Sequence, residues 1–297
     1  MKRDILNSPR LLELKREKRR IFLNKILLLG FGLLMVLVGL VYISRIDKLN
    51  ISEIEIVGNN ITDTQIIKES VKKEIIENYF LGIPKTNIFF YPQNSIKNKL
   101  QDKFKRLKDI SFSIKNNKIL EVSLTERVAK YTWCRTNLPQ TQTDNDNQKC
   151  YFLDESGYIF DEAPYFSGEV YFKFYGLIHT VTTEENLPTQ TTLGSYFSQV
   201  NFEKLISLKE TLETMKLKPV ALYVIDNENI KIYLSNKSLL PTGPEIIFKI
   251  DSNFQKVAEN LQTALTTEPL KSDFKNKYSS LLYIDLRFGN KVYYKFQ

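Results

Sequence analysis

Three hydrophobic periods follow one another along the chain. Residues 26–43 are apolar throughout and carry no charge. At a helical rise of about 1.5 Å per residue they extend about 27 Å, close to the hydrocarbon thickness of a bilayer, and predict one transmembrane helix over residues 26–44. Residues 51–57 read as a strand that ends at the turn signal Gly58-Asn59-Asn60. The period then becomes four: Ile67, Val71, Ile75 and Tyr79 mark a helix, with Thr62 and Gln65 before it at capping-box spacing. Gly82 and Pro84 interrupt it, and Pro92 and Ser95 introduce a second helix along Ile96, Leu100 and Phe104. Alternation returns at Ile110, Phe112 and Ile114, turns at Asn116-Asn117, and resumes at Leu120, Val122 and Leu124, which is a hairpin. Residues 50–127 thus spell strand, helix, helix, strand, strand, about 75 residues that suffice for a small independent core.

Residues 128–297 predict a larger mixed β domain with helices. Strand-like stretches fall at 131–134, 150–153, 171–175, 220–225, 230–234 and 245–250. Phe202, Leu205, Leu208, Leu212 and Met215 mark one core-facing helix, and Phe254, Val257, Leu261 and Leu265 a second. Residues 179–192, rich in Thr, Glu and Pro, read as a long surface loop. At the end, alternation puts Leu282, Ile284, Leu286 and Phe288 on one face of a strand and Tyr283, Asp285 and Arg287 on the other, and a last strand starts at Lys291 after Gly289-Asn290. A C-terminal strand commonly lies at a sheet edge, where unpaired backbone groups are available for a partner to extend. The fold class expected is α+β, with a single transmembrane helix at the N-terminus.

Charge orients this arrangement. Residues 1–25 hold nine Lys or Arg and three acids, most of the chain's net +8. By the positive-inside rule this basic tail stays in the cytoplasm and everything after residue 44 is exported. A cleaved signal peptide is the rival reading, but the basic and apolar regions are long, and Val41-Tyr42-Ile43-Ser44-Arg45 lacks a small-x-small cleavage pattern. The tail accounts for topology and attraction to anionic lipid rather than for nucleic-acid binding. A second basic cluster, Lys97, Lys99, Lys103, Lys105, Arg106 and Lys108, reads either as the solvated face of the second helix or as a contact for headgroups or an acidic partner.

The two cysteines, Cys134 and Cys150, flank a polar stretch between strand-like segments on the exported side, where a disulfide persists. A clip across a hairpin is one reading and a pair of reduced buried thiols the other. With one histidine, His179, metal binding and most nucleophilic triads are not expected, and no Cys-His pair stands out. No Gly-x-Ser-x-Gly, Ser-x-x-Lys, His-Glu-x-x-His or phosphate-cradling glycine loop occurs, so neither catalytic residues nor a cofactor are expected. The acid pairs Asp154-Glu155 and Asp161-Glu162 flank a turn at Gly157, where carboxylates usually face water. Asp285 and Arg287, two apart on one strand face, are placed to attract each other, modestly if exposed, the bland alternative being a surface pair that supports the sheet.

Several blocks together carry a family resemblance. Ile56-Val-Gly-Asn-Asn-Ile-Thr, Asn87-Ile-Phe, and Ile119-Leu-Glu-Val-Ser-Leu-Thr-Glu-Arg-Val-Ala resemble a POTRA domain of the FtsQ/DivIB cell-division family. Tyr151-Phe-Leu-Asp-Glu-Ser-Gly-Tyr-Ile-Phe is similar to the first hairpin of that family's β domain, and Tyr283-Ile-Asp-Leu-Arg-Phe-Gly-Asn-Lys-Val to its terminal strands. The resemblance implies a noncatalytic divisome scaffold whose terminal edge receives a strand from an FtsB-like bitopic protein, itself coiled-coil paired with an FtsL-like one. It places Asp285, Arg287, Phe288, Asn290, Val292, Tyr293 and Tyr294 at or near that contact, and it implies a septal location and ties to other divisome proteins. A POTRA-bearing transport or assembly factor and an exported cell-wall enzyme are the alternatives.

Overall fold

The computed structural model describes residues 9–79, 82–135, 137–139, 148–166, 168–176, 193–198, 201–226, 228–236 and 243–297, with side chains from residue 16 onward. Residues 1–8 of the basic tail, residues 140–147 between the cysteines, and His179 with its loop at 179–192 lie outside the described residues. The chain forms two compact units, one of Met1–Leu100 and Asp109–Thr125, the other of Gln101–Lys108 and Glu126–Gln297.

The first unit begins with helix α1, Pro9–Ser44, whose segment Arg16–Ser44 is long and apolar enough to cross a membrane. The helix starts well before the predicted residue 26 because the tail is built from Leu, Lys, Arg and Glu, all good helix formers, with Pro9 at the first helical position. Helices α2, Thr64–Ile75, and α3, Gln93–Lys103, bury Ile67, Val71 and Ile75, and Ile96 and Leu100, as the period of four requires. The last members of each series, Tyr79 and Phe104, fall beyond the helix ends. The cap of α2 is Asp63 rather than Thr62: its Oδ1 accepts from the N–H groups of Gln65 at 2.7 Å and Ile66 at 3.1 Å. A carboxylate there also meets the positive end of the helix dipole. Strands β1, Glu53–Val57, β2, Leu107–Lys115, and β3, Ile119–Glu126, form a sheet in the order β1-β3-β2, with β1 parallel to β3. Asn116 and Asn117 both take positive φ, the demand of a tight hairpin turn that Asn meets better than most residues.

The second unit is built on a nine-stranded sheet in the order β12-β11-β10-β9-β8-β7-β4-β5-β6. Its strands are β4, Tyr131–Trp133; β5, Cys150–Leu153; β6, Ile159–Ala163; β7, Lys173–Gly176; β8, Pro219–Val224; β9, Asn229–Leu234; β10, Glu245–Lys249; β11, Leu281–Phe288; and β12, Lys291–Phe296. Helix α4, Phe202–Thr214, links the parallel strands β7 and β8; α5, Phe254–Thr266, and α6, Leu270–Lys277, link the parallel strands β10 and β11. Helix α6 was not predicted, since its eight residues bury only Leu270 and show no period. One sheet face packs Phe174, Leu222, Ile232, Ile246 and Ile284 against Leu205 and Leu212 of α4 and Val257 and Leu261 of α5.

Cys134 and Cys150 form a disulfide, S–S 2.03 Å, next to the antiparallel pair Trp133↔Tyr151. The clip across a hairpin is therefore the arrangement found. The carboxylates near Gly157 depart from expectation. Gly157 has φ +80°, and a Cβ there would lie 2.7 Å from the Phe202 ring, so the turn packs inward. Asp154 is buried: its Oδ1 accepts from the Ser156 N–H at 2.9 Å, the Ser156 hydroxyl at 2.6 Å and the Tyr158 N–H at 3.1 Å, while Oδ2 takes a charge-assisted bond from Arg127 Nη1. The Arg127 guanidinium lies 3.9 Å from the centre of the Tyr158 ring. Asp161 accepts from Arg106 Nε at 3.0 Å, and Glu155 pairs with Lys108 at 2.7 Å. These carboxylates hold cations rather than face water alone.

Two outcomes follow. Replacing both cysteines with alanine lowers stability by about 3 kcal/mol through the loop of about 15 residues they close, as read by urea unfolding, and the wild-type protein resists alkylation until reduced. Asp154→Ala leaves the Arg127 guanidinium, mostly buried, without its carboxylate and costs about 3–5 kcal/mol in the same measurement. Burial pushes the Asp154 carboxyl up, but its hydrogen bonds from Ser156, Arg127 and Tyr158 outweigh that and hold it below the ordinary range. Its contribution is complete above the unfolded value of about 3.9 and is lost as pH falls through the lower folded value, so wild type and variant converge in acid.

Candidate partner-binding edge

Strand β12 occupies one end of the nine-stranded sheet and pairs antiparallel with β11 through Leu281↔Phe296, Tyr283↔Lys295, Ile284↔Tyr294, Asp285↔Tyr293 and Phe288↔Lys291. Two register shifts in β11, between Leu281 and Tyr283 and between Asp285 and Phe288, correct the simple alternation expected from the sequence. A bulge adds a residue on one strand only and so resets which face the following side chains take. Hence Leu281, with Ile284 and Leu286, enters the core, while Leu282 instead lines a cleft of about 750 Å³ with Lys218, Phe274, Tyr278 and Gln297. The second shift turns Phe288 out. It is 55% exposed and stacks edge-on against Tyr293, itself 49% exposed, at 5.2 Å between ring centres.

The Asp285–Arg287 pair is not a solvated surface pair. Asp285 is buried, and its carboxylate accepts from Arg287 Nε at 3.0 Å, Nη2 at 2.6 Å and the Arg287 N–H at 3.1 Å. Arg287 Nη1 donates onward to Asn229 Oδ1 at 3.3 Å. The hydrogen bonds to Asp285 raise the Arg287 pKa, so the guanidinium stays charged beside the exposed aromatic pair. Gly289, φ +68°, makes the reversal into β12, and its carbonyl accepts from Asn260 Nδ2 of α5 at 2.8 Å. Nothing local in the sequence marks Asn260 or Asn229, because their partners lie far along the chain.

Along β12 the side chains of Val292, Tyr294 and Phe296 pack against the core, whereas Lys291, Tyr293 and Lys295 are exposed. Asn290 is exposed at the turn. The Gln297 N–H donates to Ser280 O at 2.8 Å. By alternation from that bond along an unbroken strand, the backbone groups of Val292, Tyr294 and Phe296 point away from β11. Of the residues expected at the contact, Phe288, Asn290 and Tyr293 therefore offer side chains, Val292 and Tyr294 offer backbone, and Asp285 and Arg287 stiffen the strand behind them.

The basic cluster is engaged within each unit. Lys99 pairs with Glu74, Lys105 with Asp102 at 3.4 Å, Arg106 with Asp161 and Lys108 with Glu155, while Lys103 lies over the Phe104 ring at 5.1 Å. Lys97 is exposed on α3. Among the described residues no group of His, Cys, Asp and Glu side chains is placed to hold a metal ion.

No protein-family model and no curated protein matches the chain. Fold and edge together define a class: an N-terminal helix able to cross a membrane, a small α+β unit, and a larger mixed sheet that ends in a terminal edge strand.

Asp285→Ala removes the carboxylate that holds Arg287 across the second bulge of β11 and costs roughly 1.5–3 kcal/mol. Hydrogen exchange of the β12 amides reads this as local loss of protection, with the amides of β8 and β9 little changed.

Proposed function

We propose that this chain is a noncatalytic, single-pass membrane scaffold of the FtsQ/DivIB kind. Its basic tail lies in the cytoplasm, α1 crosses the cell membrane, and residues 45–297 lie beyond it. Residues 50–127 are a POTRA domain and residues 128–297 the family's β domain. At the septum it recruits an FtsB-like protein, coiled-coil paired with an FtsL-like one, and so couples assembly of other divisome proteins to septal peptidoglycan synthesis. The element order β1-α2-α3-β2-β3, with β1 parallel to β3, supports the POTRA reading.

The observation that carries the proposal is the position of β12, an edge strand that is itself well anchored. An incoming strand gains affinity from the outward backbone groups at Val292, Tyr294 and Phe296 and takes its register from Phe288 and Tyr293. The anchoring matters, because an edge already ordered by its own core contacts spares the partner part of the ordering cost of binding.

The test is in-cell photo-crosslinking from Tyr293 with identification of the adduct by mass spectrometry. A small single-pass coiled-coil protein is the expected product. Val292→Pro removes an N–H that β11 does not use but also trims a side chain packed on the core, so it lowers the unfolding midpoint modestly while the fold persists, and it weakens capture at least about fivefold. An outer-membrane assembly component as the adduct favours the transport reading instead. Absence of any adduct ends the edge mechanism.

A further inference from the structure

The first unit exposes aromatic and aliphatic side chains beside the end of α1. Phe89 is 73% exposed, Phe90 53%, Ile46 42% and Tyr79 38%. Hydrogen bonds from several directions tie the segment that carries them to the helix terminus. The side chain of Asn87, 1% exposed, donates to the Ser44 carbonyl at 3.0 Å. Arg45 Nε and Nη2 donate to Gly82 O at 3.2 and 3.1 Å. The Ile88 N–H donates to Leu49 O at 3.0 Å and the Ile51 N–H to Thr86 O at 2.8 Å. The Tyr79 hydroxyl donates to Phe90 O at 2.8 Å, which brings those two residues together.

Distance then sets what these side chains can reach. The uncharged run ends at Ile43, so a helix that spans a bilayer brings Ser44 to the boundary between hydrocarbon and headgroups. Phe89 and Phe90 follow Asn87 by two and three residues and lie no more than about 7–11 Å from it along the chain. The interfacial layer is about 5–8 Å deep on each side, and a phenyl ring adds several ångströms of reach. Phe, Ile and Tyr, with the exposed Arg45 and Lys48 alongside, are the side chains that suit this layer: apolar bodies for the acyl boundary, a phenol and cations for the headgroups.

We propose that Ile46, Tyr79, Phe89 and Phe90 form a lipid-contacting foot that seats the first unit on the leaflet where α1 emerges. The occupant is the bilayer itself. This rests on α1 crossing the membrane and is independent of strand addition at β12. The foot limits the swing of the unit about residues 45–50, turning a single-helix tether into a two-point attachment.

The described cysteines are both in the disulfide, so an introduced cysteine is the sole free thiol for a label. Full-length Phe89→Cys and Phe90→Cys proteins, each labelled with an environment-sensitive fluorophore, are placed singly in nanodiscs of phosphatidylcholine and phosphatidylglycerol with nitroxide-bearing lipid. Tyr42→Cys, within the span, reports insertion of α1, and Ile61→Cys, exposed beyond the far end of β1, is the solvent control. The expected result is quenching at positions 89 and 90 at least about threefold greater than at 61, given the shallow depth of the interface. Quenching at 42 with positions 89 and 90 no different from 61 overturns the foot and leaves the membrane span intact. Energy transfer between copies in doubly loaded discs, without lipid quenching, assigns the patch to a second copy and also overturns it. Absence of quenching at 42 removes the span on which both the foot and the scaffold reading stand.

Discussion

A β-strand has two independent pairs of directions, side chains up and down and backbone hydrogen bonds left and right, and β12 uses them for different purposes. Downward, Val292, Tyr294 and Phe296 join the core beneath the sheet. To one side its backbone pairs with β11, while the other side forms the edge. The strand is thus ordered by burial and by one ladder, leaving its outer groups in a fixed row. β11 in turn is held parallel to β10, a pairing that exists only because α5 and α6 carry the chain back across the sheet. The geometry of the edge depends on that crossover, and the bond from Asn260 to the Gly289 carbonyl fixes the reversal directly to α5.

Buried charge recurs at the places where the backbone departs from regularity. Asp285 and Arg287 span the second bulge of β11, and Asp154 with Arg127 closes the turn at Gly157. Removing either charge from water is expensive, so such pairs add less net stability than their short contacts suggest. Their value lies in geometry. A carboxylate that accepts from two or three backbone and side-chain donors at once admits one local conformation, and a bulge or inward turn needs that definition more than a regular ladder does.

The helix terminus of the first unit follows the same logic. The last carbonyls of an α-helix lack intrahelical donors. Asn50 and Asn87 both supply side-chain N–H groups to Ser44 O, at 3.0 Å each, so satisfying the helix end also fixes where residues 82–90 sit. A cap contributed from residues distant in sequence converts a flexible exit into a joint with defined geometry.

Much of this architecture was legible in residue order. The apolar run, the period-four helices α2 and α3, the Asn116-Asn117 hairpin, the strands of the larger sheet other than β6 and the flanking cysteines follow from local patterning, because a face buried on a helix or strand repeats at that element's own period, whereas β6 was implied only by the family resemblance. The terminal hairpin was legible for the same reason, and alternation put Ile284 and Leu286 on one shared face, which the fold buries. What tertiary structure alone decided was everything set by partners far along the chain. Bulges moved Leu282 to a cleft and Phe288 to the surface, since register is negotiated between strands rather than within one. Asp63 displaced Thr62 as the cap by the geometry of the turn, and Asp154 became a buried ligand of Arg127. Helix α6 had too few buried positions to show a period. A sequence encodes the periods of its elements locally, but which phase of each period is buried, and which charge meets which, depends on distances that exist only once the chain has folded.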